Sequence, residues 1–233
     1  MAAKKETTTL ITIKPLVLKD VKIRIVPDAP LITHNWSEKA LREMLDKQTG
    51  KKKAEKKPTK MPFDDFARSL YWITEMPTET IIDEATQKPR DVVTEELFDK
   101  AVREGARFGF PADSIKQAAC SAAYRLGFVK STKVLGGAFY INADDGGPLL
   151  EIKGCVPMMR EDPVRIQMTN DIRYRGHFEN WYMDATLQFN ASGAFGLEDI
   201  INCINAGGYA CGIGEWRPEK NGRFGRFHVE LRK

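Results

Sequence analysis

The constraint that most limits the fold is the order in which two periodicities alternate. Apolar residues repeat every second position in some stretches and at helical spacing in others. A strand pattern over 20–27, with KIRI alternating, precedes a helix pattern over 111–126, which Pro111 opens and Gly127 closes. A strand follows, then a second one over 181–190, where WYMDATLQFN alternates cleanly. LEDIINCINA (197–206) reads as a short amphipathic helix ending at Gly207, and 224–231 as a last strand.

This β-α-β-β-α-β order predicts an α+β, ferredoxin-like (RRM-like) core. Residues 1–36 and 107–233 would form it, and 37–106 would be a mostly helical insertion after the first strand, within a single domain. In the insertion Ser37 caps SEKALREMLDKQ, and Phe63, Phe66, Leu70 and Tyr71 fall at helical spacing. TEELFDKAVREG predicts another helix from Thr94 to near Gly105. Further strands are expected over 133–142, 149–153 and 163–168. An antiparallel sheet with both helices on one face leaves the other face open for RNA stacking or subunit contact.

At 233 residues with 42% hydrophobic and 29% charged residues, the chain has the balance of a globular protein. The net charge of +4 argues only weakly for nucleic acid, but the charge is unevenly placed. Lys47 to Lys60 holds seven lysines and one glutamate, with no apolar residue larger than alanine; the reading is a mobile basic segment. Lys51, Lys52 and Lys53 at its centre are candidates for closing over a phosphate backbone, with a solvated tail as the plainer alternative. The four cysteines have no metal-ligand spacing and read as reduced thiols. The start MAAKKETTT lacks an apolar signal region, and no run approaches membrane length, so a cytoplasmic location without membrane contact is expected.

The densest chemical signal is GGYACGIGEWRPEKNGRFGRF, residues 207–227. Gly212 and Gly214 would let successive backbone N–H groups face phosphate oxygens. Arg217, Lys220, Arg223 and Arg226 add charge, and Trp216 supplies a stacking surface. A β-hairpin with Asn221-Gly222 at its tip accounts for the same residues. Lys116 near a helix N-terminus is a second phosphate candidate, with Asp113 as a competing cap. Arg173 and Arg175, alternating with Tyr174, read as one basic strand face.

Three windows together resemble the repeat-associated mysterious protein (RAMP) superfamily: VKIRIVPDAPLITHNWSEKA (21–40), GFPADSIKQAACSAA (109–123) and GIGEWRPEKNGRFGRF (212–227). That superfamily includes the RNA-gripping backbone subunits of CRISPR effector complexes. The second window is similar to its Pro-x-Ser-Ser-Leu-Lys-Gly segment, keeping Lys116 but placing Gln117 where the glycine stands. The third is similar to its glycine-rich loop, interrupted here by Trp216 and Pro218. The resemblance implies non-catalytic binding of single-stranded nucleic acid, RNA before DNA, by a homo-oligomer or ribonucleoprotein subunit without cofactor or metal. It also implies bacteriophage relatives, for which the location is the host cytoplasm.

Two alternatives stay open. A metal-independent endoribonuclease would use His34, the best-placed histidine for acid–base work, for which the sequence names no partner. A phage structural or assembly protein, or an inhibitor that joins a host CRISPR complex, would use the open sheet for protein contacts.

Overall fold

The computed structural model of the protein describes residues 15–36, 41, 44–46, 48–50, 58–166 and 169–232. Its elements in chain order are β1 (Leu18–Pro27), β2 (Leu31–Thr33), α1 (Pro62–Arg68), β3 (Tyr71–Trp72), β4 (Glu79–Ile82), β5 (Pro89–Val92) and α2 (Glu95–Arg103). Next come β6 (Phe108–Pro111), α3 (Ala112–Arg125), α4 (Thr132–Gly136), β7 (Phe139–Asn142), β8 (Leu149–Lys153) and β9 (Met158–Ile166). The chain continues through β10 (Thr169–Phe178), β11 (Tyr182–Asn190), α5 (Leu197–Ala210), a 3-10 turn (Pro218–Lys220) and β12 (Phe227–Leu231). The architecture is mixed α+β with antiparallel sheets.

The main sheet runs β12-β1-β11-β8-β6-β3, and β7 also pairs with β11. Its register follows from the period-two pattern. Ile23 faces Ala185, and Ile25 faces both Met183 and Val229, so from Val21 onward one side of β1 and its partners in β11 and β12 is apolar. Arg24 stands opposite Asp184 and Glu230 on the other side. A one-residue slip would exchange those two sides, which pins the pairing.

α3 and α5 lie side by side, α5 against β12 and α3 against β7. Ala118, Ala119, Ala122 and Ala123 of α3 are buried. α5 does not stop at Gly207; it continues through Gly207-Gly208 to Ala210. The reason is close packing. A Cβ on Gly207 would lie 2.6 Å from the Ala119 nitrogen, and one on Gly208 would meet the Phe227 carbonyl. Two helical glycines cost roughly 1 kcal/mol each in propensity, and the burial that their missing side chains permit offsets it.

The insertion is not mostly helical among the described residues. Between Pro62 and Ala106 the chain forms α1, α2, the β4-β5 hairpin and β3, which joins the main sheet through β6. Aromatic packing governs this part: Phe98 contacts Phe63, Phe66, Trp72 and Phe108, whose ring centroids lie 5.4–5.9 Å away. Buried Asp64 ties it together, accepting from Arg68 (2.8 Å), Arg90 (2.7 Å) and the Val93 N–H (3.0 Å). The helix expected after Ser37 lies largely outside the described residues.

Two strand expectations also shift. The start of 133–142 is helical, because Ser131 caps Lys133 N–H and Leu135 buries fully, leaving only Phe139–Asn142 extended. The strand expected over 163–168 begins earlier, at Met158, and pairs with β10; with β2 these form a separate three-stranded sheet. In that sheet Gly176 faces Leu70 and Thr33. No helix among the described residues is long and apolar enough to cross a membrane.

Candidate functional site

The glycine-rich segment is a folded loop that docks on β2 and on the turn after β1. Cys211 and Gly212 both donate their N–H to the Gly207 carbonyl at 2.9 Å, ending α5. Glu215 N–H reaches Ile32 O (2.9 Å), Gly225 N–H reaches Pro30 O (2.7 Å) and Ile213 N–H reaches Gly225 O (2.9 Å). Gly214 sits at φ +76° with its α-carbon pressed on the Ile32 carbonyl, where only glycine fits. Gly222 and Phe224 donate to Arg217 O and Trp216 O, both at 3.0 Å.

These bonds change the loop's chemistry. Its N–H groups at Gly212, Ile213, Glu215, Gly222, Phe224 and Gly225 are spent inside the chain, so it offers a ligand side chains instead of a row of backbone donors. The Asn221-Gly222 hairpin is not formed either; Asn221, at φ +60°, closes the 3-10 turn.

Trp216 is the outlier. It holds φ +51°, a conformation that costs a large aromatic residue of order 1–3 kcal/mol, and the residue is still 40% exposed. The two bonds at Glu215 N–H and Trp216 O impose that backbone. Next to it Arg217 turns inward: its Nε and Nη2 grip Glu219 Oε2 at 3.0 and 2.9 Å, and Nη1 donates to Gly214 O. Glu219 also accepts from Arg125 (2.8 Å) and Ser121 (3.1 Å) of α3. Burial works against ionising Glu219, but the Arg217 and Ser121 hydrogen bonds and the nearby guanidinium charges hold its carboxyl below the usual range.

Between this loop, the first half of α3 and the chain leaving β2 lies a cleft of about 430 Å³. His34, Trp36, Tyr71, Phe110, Ser114, Gln117 and Glu215 line it. Tyr71 packs edge-on against Phe110, with centroids 5.6 Å apart. Burial, and then the charge of Glu215, raises the Tyr71 phenol and keeps it a neutral donor. Glu215 has His34 Nδ1 3.6 Å from one oxygen and Arg175 Nη2 3.4 Å from the other. The His34 contact, followed by Arg175 and Arg217, keeps its carboxyl below the usual range despite partial burial.

Behind Glu215 the basic strand face is a packed support. Arg175 is buried and donates to Asp162 (3.1 Å), which also accepts from Arg160 Nε (2.8 Å). Arg160 lies 4.9 Å from the Phe224 ring centroid, and His177 meets the same ring edge-on. Burial, with Arg160 nearby, lowers the His177 pKa. Nε of Arg173 and of Arg175 and Nε2 of His177 are buried without a hydrogen-bond partner among the described residues.

The other candidates sort by exposure. Lys220 and Arg223 are exposed, and their side chains have no ion-pair or hydrogen-bond partner among the described residues. Arg226 leans on Asp28 O at 3.4 Å. Lys116 lies 3.7 Å from the Tyr140 ring centroid, in a separate recess of about 460 Å³ between α3 and α4. Asp113 is not the α3 cap; Pro111 holds that position, without a side-chain hydrogen bond. Lys51, Lys52 and Lys53 lie outside the described residues. The outer face of the main sheet, expected to be open for RNA stacking or subunit contact, carries ion pairs: Arg24, Lys153 and Arg232 around Asp184, and Lys22 on Asp144, with Tyr182 under the Arg24 guanidinium.

The sequence reading missed Arg160, Asp162, Trp36 and Glu215 as site residues, and it placed Tyr71 on a helix face, whereas α1 ends at Arg68 and Tyr71 lies in β3. Trp36 and Glu215 stood beside residues it singled out; Arg160 and Asp162 carried no local signal. No protein-family model and no curated protein matches the chain.

Proposed function

We propose that the protein binds single-stranded nucleic acid, without catalysing a reaction, at the cleft and loop just described. The observation that carries the reading is Trp216: an exposed indole held in a costly backbone conformation, bracketed in the chain by the cleft-lining Glu215 and Arg217 and in the same loop as the exposed Lys220 and Arg223. Strain of this kind persists where surrounding structure enforces it, and a stacking platform flanked by cations is what a strand of unpaired bases engages. Trp36, also exposed, lines the cleft together with Tyr71 and Phe110.

The strand order β12-β1-β11 followed by β7 and β8, with α3 and α5 as the connecting helices, supports a ferredoxin-like reading of the core. The preference for RNA and assembly into a homo-oligomer or ribonucleoprotein rest on the RAMP resemblance. The direct test is retention of a uridine-rich 20-mer RNA at 50 mM and 500 mM salt, with the DNA counterpart alongside. Affinity that falls steeply with salt supports the reading; no retention at low salt removes it.

A second reading, a metal-independent endoribonuclease, gains one observation: Glu215 beside His34 supplies the orienting carboxylate that the sequence did not show. It predicts RNA cleavage that His34→Ala abolishes, and an uncut RNA in the retention experiment excludes it.

A further inference from the structure

We propose that the cleft accepts one unstacked guanine of the bound strand, with Glu215 accepting hydrogen bonds from its N1–H and N2–H groups. This deepens the nucleic-acid reading, on which it rests, by naming the base that the site reads.

Size and lining fit a single base. About 430 Å³ falls in the range of small-ligand clefts, and the wall is aromatic at Tyr71 and Phe110, with Trp36 beside them. Charge decides which part of the nucleotide enters. Arg217 and Glu219 also line the cleft but neutralise each other, Glu219 being held by α3 as well, so together they bring little net charge to a ligand. The remaining charged lining groups are His34 and Glu215, and the Glu215 carboxylate repels phosphate. The backbone is therefore left to Lys220 and Arg223 outside, and the cleft to the base.

Glu215 has capacity to spare. Its side chain is 38% exposed, and its contacts to Arg175 and His34, at 3.4 and 3.6 Å, are longer than full-strength hydrogen bonds. An ionised carboxylate is a pure acceptor with two coplanar oxygens. Among the four bases only guanine presents two adjacent donors on its Watson–Crick edge. Adenine and cytosine set an acceptor nitrogen beside their amino group, and uracil flanks one N–H with two carbonyls, so each turns a lone pair toward Glu215. Ser114 and Gln117 on the α3 wall have donors for the guanine O6.

The test measures binding of 12-mer uridine RNAs carrying one central guanosine, inosine or adenosine, at one fixed salt concentration. Inosine lacks only the N2 amino group. The guanosine oligomer should bind about tenfold more tightly than the inosine oligomer, the effect of one hydrogen bond to a charged group. Glu215→Gln should bring all three within about twofold while still binding RNA. Equal binding of the three by the unaltered protein overturns the proposal and leaves the nucleic-acid reading standing. Persistence of the guanosine preference in Glu215→Gln also overturns it, and binding of none of the oligomers removes both. The inosine comparison needs no variant, so a folding defect in Glu215→Gln cannot mask the answer.

Discussion

Arg175 of β10 reaches across to Glu215 of the glycine-rich loop, Nη2 to Oε2 at 3.4 Å, while its Nη1 donates to Asp162 of β9 at 3.1 Å. Two segments that read as separate basic features are thereby one assembly. The strand supports the loop, and the loop presents Trp216, Lys220 and Arg223 outward. Arg175, which reads with Arg173 as a basic strand face, has only 7% of its side chain exposed.

Removing Asp162 should show what this support contributes. Asp162→Ala leaves the buried Arg175 without its closest acceptor and is expected to cost about 3–5 kcal/mol of unfolding free energy. Urea denaturation measures it. A loss below about 1 kcal/mol would mean that the pair is incidental to stability.

Trp216→Asn separates strain from function. Asparagine tolerates the left-handed region, so stability should hold or rise by up to about 1 kcal/mol. Affinity for single-stranded RNA should fall by about 1–3 kcal/mol through loss of stacking. Thermal unfolding and fluorescence anisotropy read the two effects independently.

The loop cations should divide into two classes. Lys220→Ala with Arg223→Ala should flatten the slope of log K against log salt by about 1.4, taking roughly 0.7 per phosphate on a single strand. Arg217→Ala should leave that slope unchanged and lower the melting temperature, because Arg217 grips Glu219 and Gly214. An Arg217 variant that alters only the salt slope would contradict the geometry.

Acid should loosen the contact between the loop and α3. The folded-state pKa of Glu219 lies below its ordinary value, so its stabilisation is complete above that ordinary value. It is lost as pH falls through the depressed folded-state pKa. The melting-temperature gap between the unaltered protein and Glu219→Gln should therefore be full at pH 7 and shrink on acidification below about pH 4. A gap independent of pH would show that Glu219 acts through packing alone.

Elements whose signal is local were readable in advance. The alternation of Tyr182 to Phe189 became β11, the strand expected over 149–153 became β8, and the alanine-rich run after Pro111 became α3 with Gly127 at φ +77° just past its end. Misreadings cluster where tertiary contact outweighs local preference. Gly207-Gly208 looked like a helix stop and is a helix interior, because α3 and β12 need the space. TKVLG looked extended and is helical, because Leu135 buries fully.

The sequence by itself determined the element types of the core and the basic, glycine-rich character of the loop, since both follow from spacing within a few residues. Only the tertiary structure decided which charges neutralise one another. Glu219 was as plain in the sequence as Arg217, but Arg125 and Ser121, which join it, lie 94 and 98 residues away. Ion pairs across such separations are set by strand register and helix packing, which no local pattern encodes. That pairing is what turns Arg217 inward and leaves Trp216, Lys220 and Arg223 as the outward-facing groups.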